Sequence, residues 1–338
     1  MNESRNIVFD AVKALAIWLV VFAHSIQYIG GVDYTNDMIF QTIYSFHMPL
    51  FFVISGFFFL SALRLGWKEF LIKKSTTLLL PCFIWALIYG GIHFTSQSAY
   101  VSNMINPQSW PFWFLKGLFL VQLIVYTCSR ISARIMGGGK LEVVFAILCS
   151  LIVYILPFMS VPRVMIPMFW TGYLMRRYYE PFKENYVIWG VVTTLVFGIL
   201  LWFWDSQAMQ YYSGALPKVY EIVGQMNGYT CHDGIVVLYR IAIGMAGSIA
   251  VIAWMHVIKH LPNILAIVGS TTQGIYILQT LVLETILGTY VCLKGMNYYL
   301  LMLVVLPICS IAIVVVCAYV SKWMKERRWM GFLIGDRG

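Results

Sequence analysis

Ten stretches of this 338-residue chain are apolar over about the 20 residues that a helix needs to cross a bilayer. They lie near 7–29, 39–60, 76–94, 111–128, 141–158, 162–175, 186–204, 234–257, 273–293 and 298–320. The sixth is the shortest and contains Pro162 and Pro167. Composition points the same way: 60% of residues are hydrophobic and 11% charged, where soluble domains carry about 25%. The opening MNESRN and its apolar run are not a signal peptide, because the run is too long and no small-residue cleavage site follows. The expected fold is all-α: a polytopic membrane protein of about ten transmembrane helices, with 1–338 as a single integral-membrane domain and 321–338 as a basic cytoplasmic tail.

Charge sets the orientation. With the N-terminus in the cytoplasm, the inside segments hold Arg5; Arg64, Lys68, Lys73 and Lys74; Arg130, Arg134 and Lys140; Arg176, Arg177 and Lys183; Lys259; and Lys322, Lys325, Arg327, Arg328 and Arg337. These are 17 of the 23 basic residues. The outside segments hold Arg163, Lys218 and Lys294. Every alternate loop obeys the positive-inside rule, so both termini are expected in the cytoplasm. The formal charge of +9 then reflects topology and contact with lipid headgroups, and no nucleic-acid partner is implied. The seven cysteines form no C-x-x-C pair and read as small core residues, with a pairing of Cys231 and Cys292 as a weak possibility.

Lys13, Lys116 and Arg240 remain inside the spans, with His24, His47 and Glu284; His93 and His232 lie near the outer edge. Ionisable groups at membrane depth are costly, and each is a functional candidate. Lys13 and His24 are eleven positions apart, which is three turns plus roughly 20° and a rise of roughly 16.5 Å. They share one helix face, Lys13 toward the cytoplasm and His24 toward the outside. Asp10 is one turn before Lys13 and can pair with it. A short hairpin, 30–38, makes the first two spans neighbours and brings His47 to a similar depth as His24. The alternatives are structural: Lys13 can snorkel to the surface, and Arg240 and Glu284 can neutralise each other between consecutive spans. The aromatic residues are mostly belt and packing groups.

The spacing K-x10-H at Lys13–His24 resembles the R/K-x10-H signature of the membrane acyltransferase-3 family. FHMPLFFVISGFFF (46–59) resembles that family's second helix, FWFLKGLFLVQL (112–123, with Trp113) its W-F-L segment, FWTGYLMRR (169–177) its G-Y-L segment, and GSTTQGIYIL (269–278) its S-x-x-I-Y region. The stretches follow the family's order over most of the chain. The resemblance implies a ten-helix enzyme of the bacterial inner membrane that moves an acyl group from cytoplasmic acyl-CoA to a carbohydrate or lipid-linked glycan on the far side. It implies His24 as the catalytic histidine, Lys13 as its basic partner and His47 in support. The chain departs from the pattern in three places: Lys13 stands where many members have Arg, which alone can bind phosphate bidentately; no Arg precedes Leu80-Pro81; and Gln279 stands where many have His.

The chemistry follows from the residue types. Lys13, Lys73, Lys74 and Lys116 can hold the phosphates of the donor, acetyl-CoA or another short acyl-CoA, with no metal. A histidine in a dry pocket stays neutral and can accept a proton. It would deprotonate an acceptor hydroxyl or take the acyl group itself, and His47 would orient it or donate to the oxyanion. Trp113, Asp10, Arg240 and Glu284 are expected to support the site. The alternative is a proton-coupled transporter or flippase using the same intramembrane Lys, His and Glu.

Overall fold

The computed structural model describes residues 6–93, 111–137, 140–152, 163–204, 231–258 and 260–336. All regular elements among them are helical. Helix α1 (Ile7–Ile29) starts where the Asn6 side-chain oxygen accepts from the backbone N–H groups of Val8 and Phe9, at 3.1 and 3.4 Å, satisfying two donors that the first turn leaves unpaired. After it, Gly31 adopts φ +66°, a conformation that costs glycine little, and the chain turns back. The Leu293 N–H donates to the Ile29 carbonyl at 2.9 Å, which ties this hairpin to a loop late in the sequence. Helix α2 (Met38–Phe57) is capped by Asp37, whose Oδ1 accepts from the Phe40 N–H and whose Oδ2 accepts from the Tyr298 hydroxyl at 2.7 Å. The two helices run antiparallel: Phe9 at the start of α1 stacks on Phe57 at the end of α2, ring centres 3.9 Å apart.

Helix α3 (Trp67–Lys74) passes through a π turn (Ser75–Leu79) into α4 (Leu80–His93). Helices α5 (Trp113–Met136), α6 (Lys140–Leu151) and α7 (Met165–Arg177) follow. Helix α7 lies directly on α2, and glycine makes the approach possible. A Cβ at Gly56 would meet the Phe169 carbonyl oxygen, and one at Gly172 that of Val53. Without a hydrophobic drive between helices in lipid, close contact of this kind is what holds them together. After α8 (Tyr179–Glu184), helices α9 (Tyr186–Trp202) and α10 (Cys231–Met255) form an antiparallel pair. The Tyr239 hydroxyl donates to the Leu200 carbonyl, and toward the other end Trp254 Nε1 donates to the Thr194 hydroxyl at 2.8 Å. Helix α9 leaves Ile188, Leu195 and Ile199 exposed, a face suited to acyl chains.

Helices α11 (Asn263–Ser270) and α12 (Thr272–Thr280) meet at Thr271, whose hydroxyl bonds back to the Ile267 carbonyl at 2.9 Å. The segment beyond Thr272, through Tyr290, is bent by 67° from α11. A π turn (Leu281–Leu287) extends α12. Helix α13 (Tyr298–Lys325) ends the bundle, and a short α14 (Arg328–Gly331) with a 3-10 turn (Phe332–Ile334) folds back. There Trp85 Nε1 donates to the Leu333 carbonyl at 2.9 Å, Ile334 is buried, and Lys325 pairs with Asp336 at 3.4 Å.

By length and apolarity six described helices can cross a membrane: Ile7–Ile29, Met38–Phe57, Trp67–Ile88, Trp113–Met136, Ile235–Met255 and Tyr298–Lys325. Counted as one broken span, the bent pair Asn263–Ser270 and Thr272–Tyr290 makes a seventh. The chain is thus an all-helical polytopic membrane protein over its described residues. The stretch expected to span at 273–293 is the second arm of the bent pair. The expected spans at 141–158, 162–175 and 186–204 correspond to helices of 12, 13 and 17 residues; residues 153–162 lie outside the described set.

Candidate functional site

A cleft of about 160 Å³ opens between α1, α2, α5 and α12, lined by Lys13, Met48, Ser55, Phe114, Gln273 and Tyr276 among others. Lys13 carries the only charge in its lining. Its Nζ lies 2.8 Å from Asp10 Oδ1, one turn earlier, and 5.4 Å from the centre of the Phe58 ring. Asp10 is buried, while the lysine side chain keeps 24% of its surface exposed. The ion pair neutralises the carboxylate and still leaves ammonium protons free to meet an anion in the cleft.

Along α12 the lining residue Tyr276 is followed one turn later by Gln279, which is fully buried. Its Oε1 stands 2.9 Å from His24 Nδ1. His24 is partly exposed, its ring edge-on to Tyr28. Lys13 thus shares the cleft lining with Tyr276, and His24, three turns further along α1, contacts Gln279, one turn beyond Tyr276 on α12. Sequence reasoning registered Gln279 only as a departure from a family pattern. Its contact with His24 joins residues 255 positions apart, and no local signal marks it.

His47 is buried, and its Nδ1 lies 2.8 Å from the Ile43 carbonyl one turn back on α2. A carbonyl only accepts, so Nδ1 holds the proton and neutral His47 presents a lone pair on Nε2. The ring stands 5.0 Å from that of Tyr44 and within electrostatic reach of His24 and Arg240. The helices that carry the two histidines are antiparallel neighbours, as the short hairpin between them leads one to expect.

Arg240 is 4% exposed, with Cζ 4.7 Å from the centre of the Trp204 ring. Its Nε and Nη1 have no hydrogen-bond acceptor among the described residues. The expected pairing with Glu284 is absent. Glu284 lies in the π turn and is exposed, whereas Arg240 faces Tyr44, Tyr239 and Trp204. An extra residue in a π turn rotates everything after it by about 100° relative to a regular helix, which the even spacing assumed in the sequence does not anticipate.

The other expected residues lie around the site. Lys73 and Lys74 end α3, one turn before Leu78 of the cleft wall. Lys116 lies beside Cys82, outside the lining. Trp113 is 48% exposed at the start of α5, after Phe112, whose φ of +64° is uncommon for a bulky residue. The side chains of His93, His232 and Cys231, and residues Arg5, Lys218, Lys259 and Arg337, fall outside the described set.

Fold and site together define an integral membrane protein with a basic residue at a cleft, a histidine three turns further along the same helix and a second histidine on the neighbouring helix. The chain belongs to the acyltransferase-3 family, whose profile, an acyltransferase domain, matches residues 6–322. It is similar to a nodulation protein, NolL, of Mesorhizobium japonicum, with 29% identity over 158 residues, 43% of this chain and 42% of that protein. The NolL protein of Sinorhizobium fredii is 27% identical over 191 residues, 53% of this chain and 50% of that protein. The matches thus span about half the length of these curated relatives or less. No solved structure matches the chain.

Proposed function

We propose that this protein transfers a short acyl group, acetyl by default, from cytoplasmic acyl-CoA to a hydroxyl of a carbohydrate acceptor at the outer face of a bacterial inner membrane. The observation that carries the reading is the cleft containing Lys13, with the Gln279–His24 contact one turn beyond its Tyr276 wall on α12. In this reading the chain crosses the membrane ten times with both termini inside, the three short helices completing the set. Lys13 binds a phosphate of the donor, helped by Lys73, Lys74 and Lys116 around the inner mouth, and Asp10 holds Lys13 in place. The pantetheine arm lies along the cleft, which is apolar apart from Lys13 and a few hydroxyl and amide groups.

His24 is the general base. It takes the proton of the acceptor hydroxyl, whose oxygen attacks the thioester carbonyl. His47 supports the site by shape and polarity. Its Nδ1 proton is committed to Ile43, so a donor role toward an oxyanion would need the imidazolium form. Arg240, whose Nε and Nη1 have no acceptor among the described residues, is the better-suited group to meet developing negative charge. The test is calorimetric titration of the detergent-purified protein with acetyl-CoA, beside Lys13→Ala. Binding to the wild type that weakens in the variant is the expected result. Failure of folded protein to bind acetyl-CoA, succinyl-CoA or CoA would overturn the reading in favour of a proton-coupled transporter.

A further inference from the structure

His24 has two ring nitrogens, and only the one that lacks a proton can act as a base. Which one that is depends on the orientation of the Gln279 amide, and the surroundings of Gln279 fix it. Gln279 Nε2 lies 3.3 Å from the Tyr276 carbonyl and 3.0 Å from Thr280 Oγ1. Thr280 Oγ1 in turn donates to the same Tyr276 carbonyl, at 3.2 Å, so its lone pairs are available to the amide. Turning the amide over would set Oε1 against a carbonyl and forfeit its donation to both partners. The Thr280 hydroxyl could turn to donate to Oε1, but the Tyr276 carbonyl could not, and setting two acceptors together in a fully buried residue is costly. The amide oxygen therefore faces His24, and an amide oxygen only accepts. The proton of neutral His24 must then sit on Nδ1.

We propose that Gln279 is a positioning residue that holds His24 as the Nδ1–H tautomer, leaving Nε2 as the basic atom of the site. A free histidine side chain prefers the opposite tautomer, so this contact reverses the intrinsic choice. Nε2 makes no hydrogen bond among the described residues, and the ring is partly exposed. His47 is held in the same tautomer by the Ile43 carbonyl. The pair thus presents two acceptors and no donor, which selects a molecule that brings its own donor, a hydroxyl or an amine. On the acyl-transfer reading, on which this last step rests, the hydroxyl proton moves to Nε2 as the oxygen forms its bond to the thioester carbon. The carbon–sulfur bond breaks, and Nε2–H returns its proton to the departing thiolate. His24 ends neutral, with Nδ1 protonated throughout.

The experiment is 15N magnetic resonance of the full chain in lipid, labelled at histidine, with His24 assigned from the signals lost in His24→Asn. Protonated and lone-pair ring nitrogens resonate far apart. The expected result is a protonated Nδ1 and a bare Nε2 in the wild type, the same in Gln279→Glu, which keeps an acceptor oxygen, and the reverse in Gln279→Leu. Turnover of radiolabelled acetyl-CoA in membrane vesicles should fall about 10²-fold in Gln279→Leu, the low end for loss of a general base, with acetyl-CoA binding kept and turnover recovered in part in Gln279→Glu. A wild-type spectrum with Nε2 protonated overturns the proposal even if Gln279→Leu fails to fold, and so does a tautomer unchanged in a folded Gln279→Leu. The expected spectra together with full turnover in His24→Ala would keep the tautomer assignment and remove the acyl-transfer role of His24, so the two failures are told apart.

Discussion

Lys13 and Asp10 form an ion pair, 2.8 Å apart, at the wall of a cleft that holds no other charge. The pair orients the ammonium. Hydrogen bonds to charged groups contribute about 1.5–3 kcal/mol, so Lys13→Ala should weaken acetyl-CoA binding about 10- to 100-fold by calorimetry. Lys13→Arg should bind nearly as well as the wild type, and equal binding by Lys13→Ala would exclude Lys13 from the donor site.

His24→Ala separates binding from chemistry. The cleft lining does not include His24, so affinity for acetyl-CoA should stay within about twofold while acyl transfer falls by about 10²–10⁴, the range for general-base catalysis. Vesicle assays with labelled acetyl-CoA read both, and undiminished transfer would refute the role.

Arg240 tests a trade between function and stability. Two guanidinium nitrogens are buried without an acceptor among the described residues, at about 1–3 kcal/mol or more each, against about 0.5–2 kcal/mol returned by the Trp204 face. Replacing it by an apolar side chain of similar length should therefore not destabilise the protein. Arg240→Met is expected to unfold at the same temperature as the wild type or higher in one detergent, while its acyl transfer drops. A clearly lower unfolding temperature would mean that Arg240 is a structural residue.

The contact of α2 with α7 depends on Gly56 and Gly172. A methyl group at either position runs into backbone of the other helix, and backbone cannot swing aside as a side chain can. Gly56→Ala and Gly172→Ala should each reduce the yield of folded protein, seen as loss of the monodisperse peak in size-exclusion chromatography. Gly66→Ala, where a Cβ meets nothing, is the matched control.

Much of this arrangement was legible in the chain itself. The first span was predicted at 7–29 and α1 occupies Ile7–Ile29, because a long apolar run with an Asn cap leaves little choice. The antiparallel packing of α1 and α2 followed from a short hairpin. What could not be read were departures from regular helix: the bend at Thr271, and the π turn that turns Glu284 away from Arg240. Hydropathy averages over a window and carries no information about a one-residue insertion in a hydrogen-bond ladder. Gln279 was hidden for another reason, since an amide in an apolar helix looks the same whether it bonds its own backbone or a distant ring.

The three-turn separation of Lys13 and His24 has a consequence for what crosses the membrane. On the proposed reaction the hydrogen that leaves with the CoA thiol began on a hydroxyl at the outer face, and the acyl group began inside. Each turnover then exchanges one neutral fragment outward for one hydrogen atom inward, so no net charge moves. The membrane voltage would neither drive the reaction nor oppose it, and its direction would be set by the free energy of the thioester alone.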